Sequence, residues 1–326
     1  MIGMMENICE GPIPMLTTKL HRPPVRPQLV ARPHLIERLH EGLYRKLILL
    51  SAPAGFGKTT LISDWLRQVP LPVAWLSLDE GDNDPTRFLT YFVSALAQID
   101  LYLGQSAQEL IRGGRLPSIQ SWIAILISEL TLTESVIVLD DYHLINADSI
   151  HEALDILLEH LPQQMHLVIS TREDPPFPLA RLRARGHMLE IRAVDLRFKS
   201  EETLRFLNQT MHLNLTAQQI TALEKRTEGW IAGLQLAALS MQNMADKDSF
   251  IKAYAGDDKY IVDYLTSEVI ARQTPQIQAF LLRTSILDRF TASLCASIMG
   301  QVDVQEALTA IEQANLFLIP LDNRRE

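Results

Sequence analysis

The run Ser51-Ala52-Pro53-Ala54-Gly55-Phe56-Gly57-Lys58-Thr59-Thr60 holds the residue types that grip a polyphosphate. Gly55 and Gly57 free the backbone to curl, so that successive N–H groups turn toward anionic oxygens. Lys58 brings a mobile positive charge to the β- and γ-phosphates, and Thr59 brings a hydroxyl to Mg²⁺. The helix expected to start here adds the partial positive charge of its N-terminus. Pro53, Ala54, Phe56 and Thr60 complete the loop expected to touch nucleotide. Ala52 stands where the usual G-x-x-x-x-G-K-[ST] pattern has its first glycine, a small change that leaves the inner turn free.

Two further groups of residues suit the same chemistry. Val136-Ile137-Val138-Leu139 is a buried run ending on Asp140 and Asp141, about 80 residues after the loop. An acidic residue at that end of a strand reaches Mg²⁺, so Asp140 is expected to hold the ion with Thr59, and Asp141 to orient or activate the attacking water. Another buried run ends on Ser170-Thr171-Arg172, where Arg172 could pair with a terminal phosphate. The competing expectation for Arg172 is a surface pair with Glu173 or Asp174. Asp79, Glu80, Asp82 and Asp84 follow a third run, with turn and N-cap roles before Pro85 as plausible as any part in polarising water.

The elements that would position these residues are short apolar strands alternating with helices. Runs at Leu47–Leu50, Val73–Leu78, Val136–Leu139, His166–Ser170 and Met188–Ile191 are separated by helical stretches at Thr60–Arg67, Thr86–Gln98, Trp122–Leu130 and Ser149–Leu158. Uniformly apolar strands in such an alternation predict a parallel sheet covered by helices on both faces. Six prolines before residue 34 predict an extended arm over residues 1–33, and a helix fits Leu35–Leu43. Beyond about Arg197 the pattern becomes helical, with helices expected at Glu201–Asn208, Thr216–Thr227, Ile231–Met241, Tyr260–Arg272, Pro275–Arg283 and Val304–Asn315. A strand-like run, Leu316–Leu321, lies just before the last residue, which is an odd place for a domain to end and points to a fragment of a longer protein.

The 326 residues carry a net charge of −9, with no basic stripe to draw in nucleic acid. Cys9 and Cys295 are too far apart in sequence to suggest a disulfide framework or a metal site. No signal-like segment and no apolar run of membrane-spanning length occurs, which points to a cytoplasmic protein away from membranes.

Taken together, these residues resemble the N-terminal part of the MalT-like regulators, LuxR-type transcription factors of the signal-transduction ATPase (STAND) class. The resemblance is carried by Thr18-Lys19-Leu20-His21-Arg22-Pro23-Pro24, the loop at Ser51–Thr60, Trp75 to Asp84, Leu139-Asp140-Asp141-Tyr142-His143, Ser170-Thr171-Arg172 and Gly229-Trp230 through Leu239. It implies a P-loop NTPase domain over residues 34–196, a helical domain over 197–255 and an incomplete winged-helix domain over 256–326. It also implies a resting ADP state and an active, self-associating ATP state, with Gly229 and Trp230 coupling the helices to the nucleotide. Val30 and Arg32 would lie near the adenine. Inducer and DNA would be bound by segments that this sequence lacks. The rival expectation is a P-loop kinase acting on a small molecule, for which Arg181, Arg183 and Arg185 could furnish a lid. A mechanical ATPase on nucleic acid fits the acidic charge less well.

Overall fold

The computed structural model describes residues 15–25, 27–113, 118–130, 134–242, 244, 246–253, 259–287, 290–299 and 304–313. Strands β1 (Leu47–Ser51), β2 (Val73–Ser77), β3 (Ser135–Asp140), β4 (Met165–Thr171) and β5 (Met188–Arg192) form a parallel sheet in the order β2-β3-β4-β1-β5. Each strand points its residues alternately to two cores, as the period of two requires. Leu47, Leu49, Leu76, Ile137, Leu139, Leu167 and Ile169 enter one cluster. Ile48, Leu50, Trp75, Val136, Val138 and Val168 enter the other.

Helices cover both faces. α1 (Pro33–Glu41) and α2 (Lys58–Trp65) bury Leu35, Leu39, Ile62 and Trp65 in the second cluster. α3 (Pro85–Leu96), α4 (Gln105–Arg112), α5 (Ile119–Glu129) and α6 (Asp148–His160) bury Phe88, Phe92, Trp122, Leu154 and Leu157 in the first. Each such buried Leu, Ile or Phe stabilises the unit by roughly 1.5–3 kcal/mol. A short α7 (Leu179–Ala184) precedes β5, and α8 (Ala193–Leu196) follows it.

The described residues beyond β5 are helical: α9 (Ser200–Leu204, continued to Thr210 as a π-turn), α10 (Ala217–Thr227), α11 (Ile231–Met241), α12 (Lys247–Ala253), α13 (Lys259–Glu268), α14 (Pro275–Thr284), α15 (Ala292–Met299) and α16 (Val304–Gln313). Thr216 caps α10 through a capping box with Gln219, and Thr274 caps α14 ahead of Pro275. At the start of α9 the Lys199 N–H donates to Glu202 Oε2 at 2.8 Å. Helices α4, α7, α8, α12 and α15 have no counterpart among the stretches expected from sequence. The run Leu316–Leu321 lies outside the described residues. None of the described helices is long and apolar enough to cross a membrane.

The proline-rich arm packs where its residues are described. Thr17–Leu20 forms a 3-10 turn with Lys19 and Leu20 buried. Lys19 Nζ pairs with Asp79 at 3.1 Å and with the fully buried Asp82, and sits 4.4 Å from the centre of the Tyr91 ring. A buried ammonium is tolerated only with such partners. The acidic residues after β2 thereby have structural work: Asp79 closes a capping box with Asp82, and Asp84 caps α3 through Arg87 N–H at 2.7 Å.

Candidate functional site

The sheet order decides which chain ends meet. β4 lies between β1 and β3, with Ser51 level with Thr171 and Leu139 level with Ile169. Because parallel strands end on one edge, the tail of β4 falls between the phosphate loop after β1 and the aspartates ending β3. A cleft of about 210 Å³ opens there, lined by Ala54, Gly55, Gly57, Lys58, Thr59, Thr60, Asp141, Arg172 and Tyr264. The structure therefore brings together the loop, Asp141 and Arg172, with Asp140 immediately behind.

The loop has the backbone its glycines permit. Gly55 and Gly57 take φ of +79° and +76°, and Gly57 leads into α2. Phe56 turns into the second core, anchoring the loop from below. Lys58 donates to the carbonyls of Ala52 at 2.6 Å and Pro53 at 3.0 Å. Burial pulls the Lys58 ammonium down to about 8, with Arg172 adding to the effect and Asp141 and Asp140 opposing it. The Thr59 hydroxyl lies 3.0 and 2.9 Å from the two Asp140 oxygens. Burial, and then the neighbouring charge of Asp141, push Asp140 up to about 6. Asp141 itself adopts a left-handed φ of 58°, an arrangement that costs energy in a residue with a Cβ and recurs at functional sites.

These donors suit Mg²⁺ with a nucleotide. A hydroxyl and a carboxylate in contact, beside a buried ammonium, form the two-ligand protein share that Mg²⁺ takes when phosphates supply the rest. Among the described residues no group of three or more His, Cys, Asp or Glu side chains could hold a metal without such help.

The helical region seats directly on the loop. Trp230 Nε1 donates to the Ala54 carbonyl at 3.0 Å, and Ala232 N–H donates to the Gly55 carbonyl at 3.0 Å. A Cβ added at Gly55 would stand 2.4 Å from Ala232 Cβ and 3.0 Å from the Tyr264 hydroxyl. Ala54 is buried in the cluster formed by Val269, Ile277 and Phe280. Arg172 does not pair with Glu173 or Asp174. It reaches instead to α13, donating to the Glu268 carbonyl at 2.7 Å and to Glu268 Oε2 at 3.1 Å. Asp174 is taken by Arg192 and by the Ser51 hydroxyl at 2.9 Å.

Val30 and Arg32 are not among the residues that line this cleft. Val30 is buried among Phe198, Leu207 and Leu234 of the helical region. Arg32 bonds Glu202 at 2.9 Å and the carbonyls of Leu196 and Arg197 at 2.8 and 2.9 Å, so its guanidinium ties the arm to the turn that leaves the sheet. Of the three arginines considered for a kinase lid, two are engaged elsewhere: Arg181 with Asp155 and Arg183 with Glu190. Tyr264 and Glu268 carried no signal in the sequence, since both lie on a helix some 90 residues beyond Arg172 and only tertiary packing brings them back.

Known proteins resemble this chain in sequence and in fold. Residues 266–326 match the MalT winged helix domain family. The HTH-type transcriptional regulator MalT of Vibrio cholerae is 33% identical over 313 residues, which is 94% of this chain and 34% of that protein. The MalT of Klebsiella pneumoniae is 33% identical over 316 residues, 96% of this chain and 35% of that protein. The chain thus spans about a third of the length of the curated relatives it matches. Among solved structures, a Walker-type ATPase of Pyrococcus abyssi aligns with a TM-score of 0.59 at 15% identity, covering 90% of this chain and 92% of that one. A STAND protein with a tetratricopeptide repeat sensor from Pyrococcus horikoshii aligns with a TM-score of 0.52 at 16% identity, covering 90% and 40%. The fold is that of a P-loop NTPase with an appended helical region and a winged-helix domain, and the resemblance to the MalT-like regulators runs over nearly the whole chain.

Proposed function

We propose that this chain is the nucleotide-dependent switch of a MalT-like transcriptional regulator, in which bound ATP or ADP sets how the helices sit on the phosphate loop. The observation that carries this reading is the direct seat of Trp230 and Ala232 on the carbonyls of Ala54 and Gly55. A ligand that reshapes the loop must reshape that seat, which is what a bistable element biased by phosphate contacts requires.

Lys58 would leave the carbonyls of Ala52 and Pro53 to pair with β- and γ-phosphate oxygens. Thr59 and Asp140 would open their mutual hydrogen bond to hold Mg²⁺. That ion, when bound, would neutralise charge on the phosphates. Asp141 would orient the water for slow hydrolysis, and Arg172 would read the terminal phosphate. Val30 and Arg32, at the end of the arm, would lie near the adenine of the bound nucleotide. We place the domain borders near residues 33, 196 and 255. Self-association in the ATP state belongs to the same reading. Inducer and DNA binding we assign to other parts of such a regulator, and the chain's acidic balance suits a cytoplasmic protein that leaves DNA to another domain.

The test is titration calorimetry of Mg-ATP and Mg-ADP on this chain and on Lys58→Ala. Loss of a charge-assisted contact should weaken both nucleotides by about ten- to a hundredfold. Turnover by the parent chain should be slow and indifferent to added DNA. Failure of the correctly folded parent to bind either nucleotide would overturn the reading, and rapid DNA-stimulated hydrolysis would replace it with a mechanical ATPase.

A further inference from the structure

We propose that Glu268 sets the nucleotide preference of this cleft, by competing with the terminal phosphate of a nucleoside triphosphate for Arg172. The proposal rests on the nucleotide-binding reading above and names the residue through which di- and triphosphate are told apart.

Arg172 lines the same cleft as Lys58, Thr59 and Asp141, yet its guanidinium points its donors at the end of α13. Two nitrogens are used, one on the Glu268 carbonyl at 2.7 Å and one on Glu268 Oε2 at 3.1 Å. Glu268 is the last residue of α13, so its carbonyl is among those left without an intrahelical donor. A cation at that end also meets the negative pole of the helix. Carbonyl and carboxylate together thus offer the planar arginine fork what a phosphate offers: adjacent anionic acceptors.

The pair is partly shielded, with side-chain exposures of 22% for Arg172 and 34% for Glu268. It spans 96 residues and joins the tail of β4 to the helix that also sends Tyr264 into the cleft. A diphosphate has no terminal group for Arg172 to reach and can bind with the pair intact. A triphosphate that turns these two donors of Arg172 toward its own oxygens must break it. The cost falls on the triphosphate alone, and by reciprocity the bound triphosphate loosens the end of α13 to the same degree.

Calorimetry with Mg-ADP and a non-hydrolysable Mg-ATP analogue on the parent, Glu268→Gln, Arg172→Ala and the double variant tests this. Glu268→Gln should tighten the triphosphate roughly three- to fivefold, the scale of a partly exposed ion pair, and leave ADP within about twofold. In the Arg172→Ala background the same change should do nothing. Glu268→Ala, which also keeps the main-chain carbonyl, should repeat the result if glutamine disturbs folding. An equal change for both nucleotides, a change that persists without Arg172, or no change in either Glu268 variant would overturn the proposal. Those outcomes leave the binding site standing, whereas a parent chain that binds neither nucleotide removes the site itself and the proposal with it.

Discussion

Asp140→Asn is expected to raise the thermal stability of the nucleotide-free chain near pH 8 while removing the Mg²⁺ dependence of nucleotide binding. Burial, then Asp141, lift the Asp140 carboxyl from 3.8 to about 6. A group whose pKa is raised on folding favours the folded state in its protonated form. Its stabilising effect is complete below about pH 3.8 and is lost as the pH rises through about 6. At pH 8 the folded chain therefore carries a buried carboxylate at a cost that these pKa values put at up to about 3 kcal/mol. Asparagine removes the charge and still accepts from the Thr59 hydroxyl. The difference in melting temperature should be several degrees at pH 8 and should vanish near pH 4. Equal melting at pH 8 would show that the buried charge is compensated in some other way. In the parent chain, Mg²⁺-dependent binding should weaken as the pH falls below about 6, because a proton then holds the carboxylate against the cation.

The second large effect belongs to Gly229→Ala. Gly229 sits between α10 and α11 at φ +73°, and a Cβ there would stand 2.4 Å from the Phe198 carbonyl oxygen and 3.0 Å from its nitrogen. Both are main-chain atoms, and Gly229 accepts a hydrogen bond from Phe198 N–H at 2.8 Å. The left-handed conformation alone costs an L-residue about 1 kcal/mol, and the clash must be relieved by moving backbone. A loss of about 3 kcal/mol or more is expected for the helical region, read as an earlier unfolding transition in urea. Trp230 follows Gly229 directly, so its bond to Ala54 should go as well, exposing the helical region to limited proteolysis while the sheet resists. A variant that melts and digests like the parent would show that the turn between α10 and α11 can rearrange freely.

The strands and the phosphate loop were legible because their signals are local. A run such as Val136–Leu139 is apolar on both faces only because a parallel sheet is buried on both, and Gly55, Gly57 and Lys58 announce their chemistry by type and spacing. The short helices α7 and α12 give too few turns for a period to show, and α4 is bounded by glycines at 104 and 113 rather than by a side-chain cap. The partners of the site were hidden for a different reason. Nothing in the surroundings of Glu268 or Tyr264 distinguishes them from other polar residues of an amphipathic helix, and their role comes from where α13 lies. The docking of Lys19 was hidden in the same way, since prolines give an extended arm without showing that Asp79 and Asp82 receive its ammonium.

Trp230 turns the seam between the helices and the loop into an optical signal. The chain has four tryptophans, and Trp65, Trp75 and Trp122 are sealed inside the sheet-bearing unit with 1% or less of their surface exposed. Trp230 is half-buried, with its ring centre 5.7 Å from that of Tyr264. Any rearrangement at this seam changes the polarity around one indole and leaves the other three as a constant background. The wavelength and intensity of intrinsic emission would then report the state of the junction in unlabelled protein, fast enough to be followed in a stopped-flow mixer.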